Sequence, residues 1–266
     1  GATQETPGGP WKIEYTYKLT GQQAHKNKGS AGAVGEKDPL SDSINITVTD
    51  ATGDMTTGSL TVTVHDDGPK IGALEGASMK VDESGEASYQ AKVDINDFLT
   101  VAAGADGEAG RTYKLTLGEG AGEDLKAIVD GQVYDIELTL NGEGNKVSGT
   151  ADGKEIFYVS VDEKGEVYLS LTGNGSLKHL DDTSVDEGLK LEGIGVQVTV
   201  KDGDGDEAST NVDLDLSIKD DGPAIGALGG ASMEVDESGE ASYQAKVDIN
   251  DFLTVDAGAD GEAGRT

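Results

Sequence analysis

Residues Asp66–Thr112 recur as Asp220–Thr266, an offset of 154 residues (from 66 to 220), and the two copies differ only at Lys70/Ala224, Glu75/Gly229, Lys80/Glu234 and Ala102/Asp256. This near-identity marks a recent internal duplication and calls for a modular fold, because each copy has to adopt the same local structure. A weaker match precedes it: Ile46-Thr-Val-Thr-Asp50-Ala-Thr-Gly-Asp54 aligns with Val198-Thr-Val-Lys-Asp202-Gly-Asp-Gly-Asp206, and both run through an alternating strand into Asp-Asp-Gly-Pro. The expected modules are residues 1–67 as the C-terminal part of one, 68–221 as a complete one, and 222–266 as the N-terminal part of a third. The last segment stops before its counterpart of Tyr113-Lys-Leu-Thr-Leu117, so it either pairs with the first segment or packs poorly. On this reading the chain is a window on a longer tandem array.

Within the modules apolar residues alternate with polar ones at Ile44/Ile46/Val48, Leu60/Val62/Val64, Ile136/Leu138/Leu140, Val167/Leu169/Leu171, Val196/Val198/Val200 and Val212/Leu214/Leu216/Ile218. A period of two places one face of each segment in a core and the other in water, the pattern of half-buried antiparallel strands. Asp130-Gly131, Asn141-Gly142, Asp152-Gly153 and Lys164-Gly165 supply the tight turns between strands. Only Ile95–Val101 reads as a helical turn. The predicted fold is all-β, built of tandem antiparallel β-sandwich modules. With 40 glycines and 5% aromatic residues each core is thin, which leaves a stabilising role for a bound metal.

The chain carries 51 acidic and 20 basic residues, a formal charge of −31, so its surface repels nucleic-acid phosphates and anionic headgroups. No nucleic-acid partner and no direct membrane insertion are expected, and no apolar run approaches the roughly 18 residues that span a bilayer. Regular alternation and 35% hydrophobic residues argue for folded modules over an acidic disordered tail. Cysteine is absent, which removes disulfides, thiolate metal sites and thiol nucleophiles together. The N-terminal Gly1-Ala2-Thr3-Gln4 carries no basic segment followed by an apolar core, as a signal peptide would.

Acidic side chains are clustered as well as abundant. Asp202, Asp204 and Asp206 stand at alternate positions of a glycine-rich loop between two strands, where a curled backbone turns three carboxylates and a carbonyl toward one hard cation. Calcium is the expected ligand. No helix flanks the loop and no glutamate stands at its twelfth position, so it is a β-loop site and not an EF-hand. The upstream loop keeps Asp50 and Asp54 but lacks the middle carboxylate. A second cluster, Asp66-Asp67-Gly68-Pro69 and its copy Asp220-Asp221-Gly222-Pro223, falls on the module boundaries, where calcium shared with the next module would stiffen the corner. Its candidate partners are Asp82-Glu83, Asp236-Glu237, Asp106 and Asp260, and the sequence does not choose among them. The competing reading of every cluster is a set of solvated turn residues, since Asp and Gly dominate turns.

Nothing in the chain assembles a catalytic signature. Glycan hydrolysis by paired carboxylates needs one acid raised by an apolar wall, whereas these acids lie in Gly/Asp turns and Trp11 is the only tryptophan. His25, His65 and His179 are scattered, without a Gly-x-Ser-x-Gly elbow or a His-Glu-x-x-His motif, and His25 and His179 read as packed or capping residues. No catalytic residue is assigned and the ligand-binding residues are left unknown.

Taken in order, Tyr15-Thr-Tyr-Lys-Leu-Thr-Gly21, a following histidine, Val198-Thr-Val-Lys-Asp202-Gly-Asp-Gly-Asp206, an alternating strand, Asp-Asp-Gly-Pro, Gly-Ala-Asp-Gly and a Tyr-Lys-Leu-Thr-Leu strand resemble the repeat modules of large type I secreted RTX adhesins of Gram-negative bacteria. The resemblance covers nearly the whole chain. It implies Ig-like or cadherin-like extender modules that fold in extracellular calcium, contact neighbouring modules of the same chain, and project a terminal binding region from the cell surface in adhesion and biofilm formation. The Gly-Gly-x-Gly-x-Asp nonapeptide of RTX C-terminal regions is absent. A calcium-dependent ligand- or glycan-binding adhesin domain is the alternative, and the surface ligand is not specified.

Overall fold

Alternating residues become strands throughout the computed structural model, which describes residues 2–4, 11–21, 23, 39–83, 90–179, 187–227, 230, 232–233 and 246–258. His25, Asp236, Glu237 and Asp260 lie outside the described residues. The fold is all-β, with short 3₁₀ turns at Ile95–Phe98 and Ile249–Phe252 as the described helical elements. The chain divides into two compact, discontinuous units: residues 1–72, 100–111 and 199–210 form one, and 73–99, 112–198 and 211–266 the other.

The larger unit holds a five-stranded antiparallel sheet in the order Glu137–Leu140, Lys146–Ala151, Lys154–Val161, Glu166–Leu171, Gln90–Asp94. Its first four strands are consecutive hairpins. Asp152 and Gly153 take φ of 50° and 73° between the paired Ala151 and Lys154, the left-handed conformation that a two-residue hairpin turn requires. Asp130-Gly131 does the same at 50° and 75° between Lys126–Val129 and Gln132–Asp135. Gly149 faces Phe157 across the sheet and Thr150 faces Glu155, so Ile156 is an extra residue in its strand. This bulge turns consecutive side chains inward: Ile156 is 1% exposed and Phe157 is fully buried. A Cβ on Gly149 would collide with the Phe157 ring, which lies over the glycine.

A three-stranded sheet in the same unit departs from the antiparallel expectation. Gly188–Leu191 pairs antiparallel with Asp215–Lys219, which pairs in parallel with Ser78–Asp82, from Asp215↔Ser78 to Lys219↔Asp82. A parallel pair cannot be made by a hairpin and needs a long crossover. Here the crossover is most of the unit, so strands far apart in sequence close it side by side. Buried Met79, Val81, Leu189, Leu191, Leu216 and Ile218 supply the apolar face of this sheet.

In the smaller unit Leu40–Thr49 and Met55–Val64 form a hairpin of ten facing pairs. Its alternation is weakly buried: Ile44 and Ile46 are half-buried, while Val48 is 51% exposed. Two strands alone offer little apolar surface to cover them. The duplicated sequence builds one strand pair in both copies, whereas residues 92–94 are strand and the matching 246–248 are not. Lys70–Ala73 pairs with Leu99–Ala102, and Ala224–Ala227 with Leu253–Asp256. In each, a threonine hydroxyl donates to a glycine carbonyl, Thr100 to Gly72 at 3.3 Å and Thr254 to Gly226 at 3.0 Å. The segment Ile95–Val101, expected as a helical turn, is a 3₁₀ turn capped by Asp94 that runs directly into a strand.

Candidate metal centre

Two aligned turns show what one carboxylate changes. In each, the first Asp closes the loop through its backbone, Asp50 N–H to Asp54 carbonyl at 2.9 Å and Asp202 N–H to Asp206 carbonyl at 3.0 Å. In each, that Asp also accepts a backbone N–H from the last, at 2.9 Å from Asp54 and 2.7 Å from Asp206. In the first turn the Thr52 hydroxyl donates to Asp50 Oδ1 at 2.7 Å, and these hydrogen bonds hold the exposed Asp50 carboxyl below its ordinary pKa. The residue aligned with Thr52 is Asp204, which when ionised brings no donor. Asp202 Oδ2 and Asp204 Oδ1 are accordingly buried without hydrogen-bond partners.

Asp204 is part of a larger convergence within the smaller unit. Ligand atoms of three sets, Asp66/Asp67/Asp106, Asp66/Asp204/Asp206 and Asp106/Asp202/Asp204, each lie within 4.8 Å of one another, and any two sets share one residue. Three loops meet to do this. Gly203 lies against the Asp106 carbonyl, where an added Cβ would stand 2.6 Å away. Gly104, at φ 77°, lies against the Asp67 carbonyl, where an added Cβ would stand 2.8 Å away, and the Ala105 N–H donates to the Asp67 carboxylate at 3.1 Å. Asp202 and Asp206 are 1% and 6% exposed, while Asp66, Asp67 and Asp106 border a cleft of about 260 Å³.

Electrostatics here are unfavourable without a cation. Two unit charges about 4 Å apart repel by roughly 4 kcal/mol at an effective dielectric of about 20. Burial first, then Asp204 alongside, raises the Asp202 carboxyl above its ordinary pKa, and the N–H groups of Gly205 and Asp206 only partly oppose this. Carboxylate oxygens in excess of their donors match what Ca²⁺ takes, six to eight oxygens in a flexible shell. Asp204→Thr installs the hydroxyl present in the aligned turn. It is expected to stabilise the calcium-free chain and weaken calcium binding by at least about tenfold, since affinity follows ligand charge; calorimetric titration and melts in chelator check both.

Of the acids expected to bind metal, Asp202, Asp204, Asp206, Asp66 and Asp67 come together, joined by Asp106. Asp50 and Asp54 remain in their turn, outside the acidic sets formed among the described residues. Asp220 and Asp221 lie in the larger unit. Burial, then Asp256, Asp82 and Asp220, raise the Asp221 carboxyl, with Lys219 opposing. Asp220 joins Glu83, one of the candidate partners named from the sequence, and His179, which the sequence did not suggest as a ligand.

The parallel strand pair builds that second group. Beyond the Lys219↔Asp82 register, the Glu83 N–H donates to the Lys219 carbonyl at 3.1 Å, and the Asp220 N–H to the Glu187 carbonyl at 2.8 Å. His179 follows Ser176–Leu177, an edge strand paired with Lys126–Val129. Glu83 Oε1 accepts the Leu177 N–H at 3.0 Å and Oε2 lies 3.2 Å from His179 Nε2. Burial alone would lower the His179 pKa, but Glu83, Asp220 and Glu187 together hold it above its ordinary value. No local signal marked His179 as part of this group, because its members come from separate strands.

The family described as Domain of unknown function (DUF5801) matches residues 78–215, more than half of the chain. The chain belongs to this family. The matched segment begins in one member of the parallel pair and ends in the other, so it spans the whole crossover. No curated protein matches the chain.

Proposed function

We propose that this chain is a calcium-stabilised structural extender, a stalk segment of a secreted bacterial surface adhesin that acts in cell adhesion and biofilm formation. One observation carries the calcium reading: six aspartates from three loops converge, and two of their buried oxygens lack a donor. A duplicated sequence that builds the same strand pair and 3₁₀ turn in both copies supports a spacer, since repetition multiplies length more usefully than it multiplies a unique recognition surface. The adhesin reading, with its extracellular location and its contacts to neighbouring modules, rests on the ordered motifs around Asp202–Asp206 and Asp220-Asp221-Gly222-Pro223. No catalytic role is assigned.

Single-molecule pulling tests the extender. Calcium is expected to raise the unfolding force, and chelation to lower it reversibly. Equal forces in calcium and chelator would remove calcium from the proposal. A glycan array that shows calcium-dependent binding by the chain would replace the stalk with a ligand-binding adhesin domain.

A further inference from the structure

We propose that Glu83, His179 and Asp220 form a second metal site, selective for a transition-type divalent cation such as Zn²⁺ and chemically distinct from the all-oxygen aspartate cluster. The site lies within the larger unit and does not depend on the calcium reading.

Its donor set carries the distinction. Imidazole nitrogen suits zinc and its neighbours, whereas calcium favours a shell of oxygens. Zinc bonds of about 2.0–2.1 Å in a tetrahedron put adjacent ligand atoms roughly 3.3 Å apart. His179 Nε2 and Glu83 Oε2 stand at 3.2 Å, already at that separation. Asp220 Oδ1 is 4.0 Å from the same nitrogen and reaches it by a side-chain adjustment of under an ångström. Glu83 is pre-set for one-oxygen ligation, because its other oxygen is held by the Leu177 N–H.

Burial supplies the independent observation. The side chains of His179 and Glu83 are each 5% exposed and that of Asp220 is 11% exposed. His179 Nδ1 is buried with no hydrogen-bond partner, and the nearest carboxylate oxygen, Glu187 Oε1, is 3.8 Å away. In either neutral tautomer one ring nitrogen turns a lone pair toward carboxylate oxygen. A cation on Nε2 removes the conflict: the proton stays on Nδ1 and points to Glu187. Closing the 3.8 Å gap to Glu187 Oε1 would complete the carboxylate–histidine–metal relay that orients metal-bound histidines generally. The remaining position is left for water.

The test uses the full chain, stripped with chelator and then held in saturating calcium so that the aspartate cluster does not compete. Titration with Zn²⁺ alone, followed by calorimetry, is expected to show one site per chain. His179→Gln should abolish it, Asp220→Asn should weaken it by at least about tenfold, and Glu187→Gln should weaken it by about 10-fold or more through loss of the relay. Where a variant fails to fold, ring-nitrogen NMR of the wild-type chain decides: Zn²⁺ must shift His179 Nε2 and leave Nδ1 protonated. Unchanged Zn²⁺ affinity in a folded His179→Gln chain, or a His179 ring unmoved by Zn²⁺, overturns the site and leaves an imidazolium held by acids.

Discussion

Removing calcium from this chain is expected to lower the melting temperature of the unit that carries the aspartate cluster by about 10–20 °C. A ligand that binds only the folded state adds RT ln(1 + [L]/Kd), about 2.7 kcal/mol when free calcium exceeds Kd a hundredfold. At roughly 4–8 °C per kcal/mol for a unit of fewer than about 100 residues, that produces the stated shift. Asp202→Asn separates the metal from ordinary packing, because the amide keeps an oxygen for the Gly205 and Asp206 N–H groups while removing the charge. The variant should melt lower than wild type in calcium and no lower, or higher, in chelator. Scanning calorimetry in both buffers reads the crossover; a variant that is destabilised equally in both would refute metal binding at Asp202. The calcium-free pH profile follows from the raised Asp202 pKa. Its contribution to stability is fully present below the unfolded carboxyl value and is lost as pH rises through the higher folded value. The stripped wild-type chain should therefore gain stability on acidification from neutral pH, and Asp202→Asn should flatten that gain.

Phe157→Ala should cost about 3–5 kcal/mol, the range for emptying a buried aromatic site. Phe157 is fully buried and its ring covers Gly149 on the neighbouring strand. The cavity cannot close easily, because both strands are internal to the five-stranded sheet. Gly149→Ala should also destabilise, since the added methyl enters the space the ring occupies. The two changes are coupled, so Gly149→Ala should cost less in the Phe157→Ala background than in wild type. Urea melts of the four proteins measure this. Additive effects would mean that ring and glycine are not in contact.

Much of the β structure was legible because it is local. Alternation at Val196, Val198 and Val200 forecasts three fully buried side chains, and Asp152-Gly153 forecasts its turn, since each depends only on strand period and on which residues tolerate positive φ. The same alternation in Leu40–Thr49 overstates burial at Val48, because a period of two specifies a face and not what covers it. The aspartate loop was legible in part: Asp202, Asp204 and Asp206 announce themselves by spacing.

The sequence alone therefore determined an all-β fold, a duplicated segment that repeats one strand pair and its 3₁₀ turn, and an excess of carboxylate in defined turns. Tertiary structure alone brought Asp66, Asp67 and Asp106 to the Asp202–Asp206 loop, and set Glu83 and Asp220 side by side through a parallel strand pair. It also gave His179, which reads in sequence as a packed residue, three acidic neighbours. Strand period and turn chemistry act over a few residues and are written in the chain order. Which loops meet depends on strand order and on a crossover spanning more than a hundred residues, and neither leaves a local pattern.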